Sequence, residues 1–305
     1  MSITFHVAGI TRTVLFAALA GAVLLPTMFS LPSNAIGVQR QAATRADGIL
    51  VCAVSGEGDA EMSLDPIVMV RKGRLEAPYA EYNDTAQSRF AGSYFKSGRK
   101  YRLLFGGGEA GTATISKWDK GCNNIHANAA VESSVKLHGQ IRALAVSGDN
   151  VGRKTSARRA PTDEERAAVM ELVKKIYTSK ATSAGLLRTL QTTNLTATDL
   201  DGDGNFEMIG SFVIATKDKR RRDLFLIAKP DGAAYKAELA NFQAYKLPPE
   251  GFDSEIKFVD QLDVNGDGLG EVFATQTGFD AYAYIIYQKR NGRWLKVYTA
   301  MGDAC

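Results

Sequence analysis

Two acidic, glycine-rich stretches constrain this chain more than any other feature: DLDGDGNFE at 199–207 and DVNGDGLGE at 263–271. Each is followed by a β-patterned apolar run (DLFLIA, then AYAYIIYQ), a turn (KPDG, then KRNG) and an aromatic-bearing return run (AAYKAEL, then RWLKVY). Two copies of loop, strand, strand, turn, strand form an internal repeat. It predicts a C-terminal β-repeat domain over 190–305.

Aligned, the loops read D-x-D-G-D-G-x-x-E and D-x-N-G-D-G-x-x-E. Oxygen-bearing side chains at positions 1, 3 and 5 of a tight loop converge on one point, and glycines at 4 and 6 permit the positive-φ bends this needs. Two carboxylates about 4 Å apart repel by roughly 4 kcal/mol at an effective dielectric of 20. A hard cation with six to eight oxygen ligands relieves that repulsion, and calcium tolerates irregular geometry better than magnesium. Asp-Gly clusters also occur as plain exposed turns, but the matched acids and glycines of two copies favour the cation. An EF-hand needs an acidic residue at position 12 and flanking helices. Here position 12 is Gly210 or Ala274, and β-patterned sequence follows.

The pattern resembles the calcium loops of FG-GAP and VCBS repeats, the β-propeller blades of integrin α-subunits and many secreted bacterial proteins. The resemblance covers roughly 190–305, without the literal FG and GAP signatures. It implies propeller-blade-like strands joined by each loop and two bound calcium ions. The implied side-chain ligands are Asp199, Asp201, Asp203 and Glu207 in the first loop, and Asp263, Asn265, Asp267 and Glu271 in the second. Asn205 and Leu269 would supply main-chain carbonyls. The extra formal charge of the first loop predicts tighter binding there.

The N-terminus bears on where the chain works. After Arg12 runs TVLFAALAGAVLL, then Pro26, then a polar stretch ending in Ser33-Asn34-Ala35. A basic residue, a short apolar core and small residues at −3 and −1 predict a cleavable secretory signal over 1–35, hence a secreted or periplasmic protein with no stable membrane span after cleavage. The formal net charge of +4 gives no reason to propose nucleic acid as a partner. An oxidising compartment favours a disulfide among Cys52, Cys122 and Cys305. Cys52–Cys122 is the expected pair, with Cys122–Cys305 the alternative.

Residues 36–147 read as an N-terminal β-domain. ILVCAVS, PIVMVRKG, KYRLLF, TATISKW, AAVESSVKL and IRALAVS are short apolar or alternating runs broken by turn residues, the pattern of a small antiparallel sandwich or barrel. Residues 148–189 form a linker and short helical connector. SGDNVGRKTSARRAP reads as a solvated basic linker carrying Arg153, Lys154, Arg158 and Arg159. Thr162 and Glu165 then make a capping box, and Val169, Leu172, Val173 and Ile176 recur at helical spacing. A second short helical segment is expected over 184–190.

No catalytic motif emerges. GGGEAG at 106–111 satisfies G-x-G-x-x-G, but TATISKW follows where a dinucleotide site needs a helix, so a glycine-rich hairpin is expected. The basic run KDKRRRD at 217–223 reads as a solvated loop. Neither H-E-x-x-H nor G-x-S-x-G occurs. The expectation is a mainly β, calcium-binding envelope protein that presents a β-surface to a carbohydrate or protein ligand. The alternative is a calcium-dependent hydrolase with its site in the N-terminal domain.

Overall fold

The computed structural model describes residues 48–56, 61–80, 82–139, 141–247, 254–278 and 281–304. The expected signal segment 1–35 and Cys305 lie outside the described residues. The chain is mainly β, and every pairing between its strands is antiparallel.

The N-terminal runs close into a barrel. Strands β1 (Ile49–Ser55), β2 (Met62–Arg71), β4 (Lys100–Phe105), β5 (Gly108–Lys120), β6 (Ile125–Ser133) and β7 (Ala143–Val146) pair in the order β1-β7-β4-β5-β6-β2, and β2 returns to pair with β1. A short β3 (Arg74–Glu76) extends β2 as a hairpin. Alternate residues fill the interior, among them Leu50, Cys52, Val54, Tyr101, Leu103 and Ile115. Ala113, Ala127, Ala129, Ala143 and Ala145 also point inward, as a narrow barrel requires. ILVCAV is apolar without alternation because β1 is buried on both faces: Ile49, Val51 and Ala53 face outward into a second cluster.

One element of this region departs from the all-β expectation. Helix α1 (Asp84–Tyr94) starts at Asn83, whose side chain accepts from the Ala86 N–H at 2.9 Å, and packs Phe90 and Ala91 into the barrel core. The cap, the acidic first turn and the spacing of Phe90 and Tyr94 are its sequence signals.

The repeat folds as two similar meanders. Strands β9 (Gln191–Thr198), β10 (Glu207–Ala215), β11 (Arg220–Asp231) and β12 (Ala234–Lys246) form one sheet, extended beside β9 by the two-residue β8 (Arg158–Arg159). Strands β13 (Ile256–Leu262), β14 (Glu271–Thr277), β15 (Ala281–Arg290) and β16 (Arg293–Ala304) form the other. The sheets pack face to face through Ile209, Phe225 and Ile227 against Phe258, Val272 and Ile285. The far face of the second sheet, with Phe273, Tyr284 and Ile286, rests on the barrel. The far face of the first is covered by helix α2 (Asp163–Ser179) through Val169, Val173 and Tyr177. The capping box of α2 is present, with the Glu165 N–H donating to Thr162 Oγ1 and the Thr162 N–H to Glu165 Oε2. A short α3 (Ala184–Leu187) follows.

The basic segment before α2 is not a solvated linker. The Arg158 side chain is buried, with its guanidinium carbon 4.5 Å from the Phe105 ring centre and 4.7 Å from that of Phe258. It donates to the Arg142 and Val259 carbonyls and to Thr196 Oγ1, and pairs with buried Asp260 at 3.4 Å. Barrel and both sheets are thus stitched by one side chain. Arg159 pairs with Glu165 and stacks on Phe206. In the 217–223 run, Arg221 is likewise turned inward, to Asp223 and Glu255.

GGGEAG is a hairpin, as the following β-pattern required. Gly106 and Gly107 bend between β4 and β5 with φ of 58° and 69°. A Cβ on Gly108 would meet the Thr155 and Ser156 backbone at 2.2 Å. Cys52 corrects the expected disulfide: it is a free thiol enclosed in the barrel, so no Cys52–Cys122 bridge forms. The alternative Cys122–Cys305 pairing ends on a residue outside the described ones.

Candidate metal centres

Both acidic loops occupy the same place in their sheets, between β9 and β10 and between β13 and β14. Their internal bonds match position for position. The carboxylate at position 1 accepts from the N–H groups at 4 and 6: Asp199 from Gly202 and Gly204 at 2.7 and 3.1 Å, Asp263 from Gly266 and Gly268 at 2.6 and 2.8 Å. Those four glycines have φ between 73° and 89°. The oxygen at position 3 accepts from the N–H at 5, and that at 5 from the N–H at 7. The position-9 glutamate reaches back to the N–H at position 2: Glu207 to Leu200, Glu271 to Val264. Each sequence-derived side-chain ligand thus belongs to one tight bend.

The loops differ in what answers their charge. In the first, oxygens of Asp199, Asp201 and Glu207 lie within 4.8 Å of one another. Lys229 of β11 stands 3.4 Å from Asp201 and 3.6 Å from Asp203. In the second, the Asn265 amide nitrogen donates to Asp267 Oδ2 and Glu271 Oε1, and Gln288 of β15 donates to Glu271 as well. Lys229 and Gln288 occupy the same site in the repeat, each one step beyond the cross-strand pairs Met208–Ala228 and Val272–Tyr287. The sequence repeat could have exposed this pair of residues once the strands were aligned.

Burial pushes Glu207 up to about 7, with nearby Asp201 adding to it and the Leu200 N–H opposing. Burial likewise pushes Glu271 up to about 7, against the bonds from Val264 and Gln288. Both carboxyls therefore sit where an added positive charge favours their ionised form. The donor set of the first loop fits a hard, oxygen-seeking cation without change. In the second, the Asn265 oxygen accepts from the Asp267 N–H while its nitrogen donates to Asp267 and Glu271, so an amide proton stands there where the first loop has a carboxylate oxygen.

The loops touch each other and the basic segment. The Gly270 N–H donates to the Leu200 carbonyl at 2.8 Å. Arg153 donates to the carbonyls of Asp199 and Leu200, each at 3.1 Å. Arg153 thus braces the first loop, a role that its basic surroundings in the sequence concealed. No protein family, curated protein or solved structure matches this chain.

Proposed function

We propose that this is a secreted or periplasmic binding protein whose C-terminal β-repeat holds two structural calcium ions. The first ion would be held by Asp199, Asp201, Asp203 and Glu207 with the Asn205 carbonyl. The second would be held by Asp263, Asn265, Asp267 and Glu271 with the Leu269 carbonyl. The reading is supported above all by the matched backbone-to-side-chain hydrogen bonds of the two loops, together with the converging carboxylates of the first. The likeness to FG-GAP and VCBS loops supports it from the sequence. Calcium at each loop would hold two strand ends together and cancel the repulsion that Lys229 only partly offsets. Extracellular calcium modules bind at about 10⁻⁴–10⁻³ M, so ambient calcium would keep them loaded.

The ligand side of the function is the presentation of a β-surface to a carbohydrate or protein. A hydrolase needs an acid and a base poised on one substrate. Asp65, the carboxylate lining the cleft between barrel and second sheet, accepts from three hydroxyls, which favours binding over hydrolysis. Equilibrium dialysis against calcium tests the metal reading: about two ions per chain are expected, and none would overturn it.

A further inference from the structure

A cleft of about 220 Å³ lies where the barrel meets the second sheet, lined by Ser55, Asp65, Arg142, Thr275, Thr277, Tyr282 and Tyr284. Its walls are built, not incidental. Asp65 is held by Ser63 Oγ at 2.9 Å, Tyr282 Oη at 3.1 Å and Tyr284 Oη at 2.8 Å. Since a carboxylate only accepts, both tyrosine O–H groups point at it. Tyr282 and Tyr284 pack edge to face, which fixes their rings. Asp65 is thereby screened from the cleft by its own donors.

Arg142 is the counterpart that lacks an answer. Its guanidinium has no hydrogen bond or ion pair among the described residues, although its main-chain carbonyl is taken by Arg158. It stands near enough to Tyr284 to pull that hydroxyl's pKa down, against the larger upward push of burial and Asp65. The hydroxyls of Ser55 and Thr275 are also without partners among the described residues. A planar cationic fork facing neutral hydroxyls is the chemistry that recognises a carboxylate carried on a polyol. The volume suits one sugar ring and is below the range of about 300–1,000 Å³ usual for larger ligands.

We propose that this cleft binds a monosaccharide-sized sugar acid, its carboxylate on Arg142 and its ring hydroxyls on Ser55 and Thr275. The inference rests on the binding-protein reading but not on calcium. Thr275 and Thr277 lie towards the end of β14 opposite the acidic loop, roughly 13–20 Å from Glu271 at strand spacing.

Calorimetric and NMR titrations of the purified protein with D-glucuronate and D-galacturonate, beside D-glucose and D-galactose, test it. Saturable binding of at least one uronate is expected, with shifts at cleft residues and its neutral counterpart roughly tenfold weaker or more. Arg142→Gln should weaken the uronate by a similar factor. If that variant fails to fold, the acid-to-neutral ratio in the unaltered protein decides alone. Absence of saturable uronate binding, or equal affinity for acid and neutral sugar, overturns the assignment. Titrations repeated in chelator separate the two readings. Uronate binding that survives there supports a cleft independent of the loops, and binding lost with the metal contradicts that independence.

Discussion

The N–H of Gly270 donates to the carbonyl of Leu200 at 2.8 Å, joining the two acidic loops through their backbones. Leu200 is also the residue whose N–H is taken by Glu207, and Gly270 directly precedes Glu271. Each position-9 glutamate is thus one or two bonds from the other loop. Repeats that look separate in the sequence converge on one corner of the molecule, with Arg153 closing it from the basic segment.

Lys229 stands beside the oxygens that a cation would take. Lys229→Met removes that competing charge, so calcium affinity at the first loop should rise roughly two- to fivefold. The metal-free protein should be less stable than its parent, because Asp201 and Asp203 lose the lysine that pairs with them. Calorimetry with and without chelator reads both effects. Unchanged affinity would place the cation away from Asp201 and Asp203.

Arg158 and Asp260 form a buried pair whose loss leaves one charge stranded. Arg158→Ala should cost about 3–5 kcal/mol in chemical unfolding. Burial pushes Asp260 up to about 6, with Arg158 and the N–H groups of Gln261 and Gly106 opposing. Between its usual value near 4 and about 6, the folded chain holds a proton that the unfolded chain has released. This group's contribution therefore declines as pH rises through that window. Asp260→Asn should remove that slope from the pH dependence of the unfolding free energy.

Cys52 is enclosed, and burial with Asp65 nearby raises its thiol pKa. It should resist alkylation in the native protein and react on unfolding. The residues after Cys122, Asn123 and Asn124, share a cleft wall with Ala300 and Gly302 of the C-terminal strand. Non-reducing peptide mapping of protein from an oxidising compartment is expected to recover Cys122 joined to Cys305. Recovery of Cys52 in a bridge would contradict the fold described for the barrel.

What the sequence made legible was local. The Thr162–Glu165 box, the strands at 49–55 and 100–105 and the twin loops are each written in a few adjacent residues, and each appears where its pattern lies. Arg158 looks solvated in the sequence because its neighbours are polar and basic, while its partners Phe105, Thr196, Val259 and Asp260 are distant in sequence. Helix α1 was overlooked among strands although Asn83 caps it. The cleft at Asp65 draws on β1, β2, β14, β15 and Arg142, so no single stretch could announce it. Tertiary geometry alone reveals such a site.

Divalent metal held by both loops, as proposed above, would stabilise the fold. Thermal unfolding in calcium and in chelator measures it directly, since a ligand bound only by the native form must raise the midpoint. A rise of several degrees is expected for the unaltered protein, largely abolished in Asp203→Ala/Asp267→Ala. An identical midpoint in calcium and in chelator would contradict it.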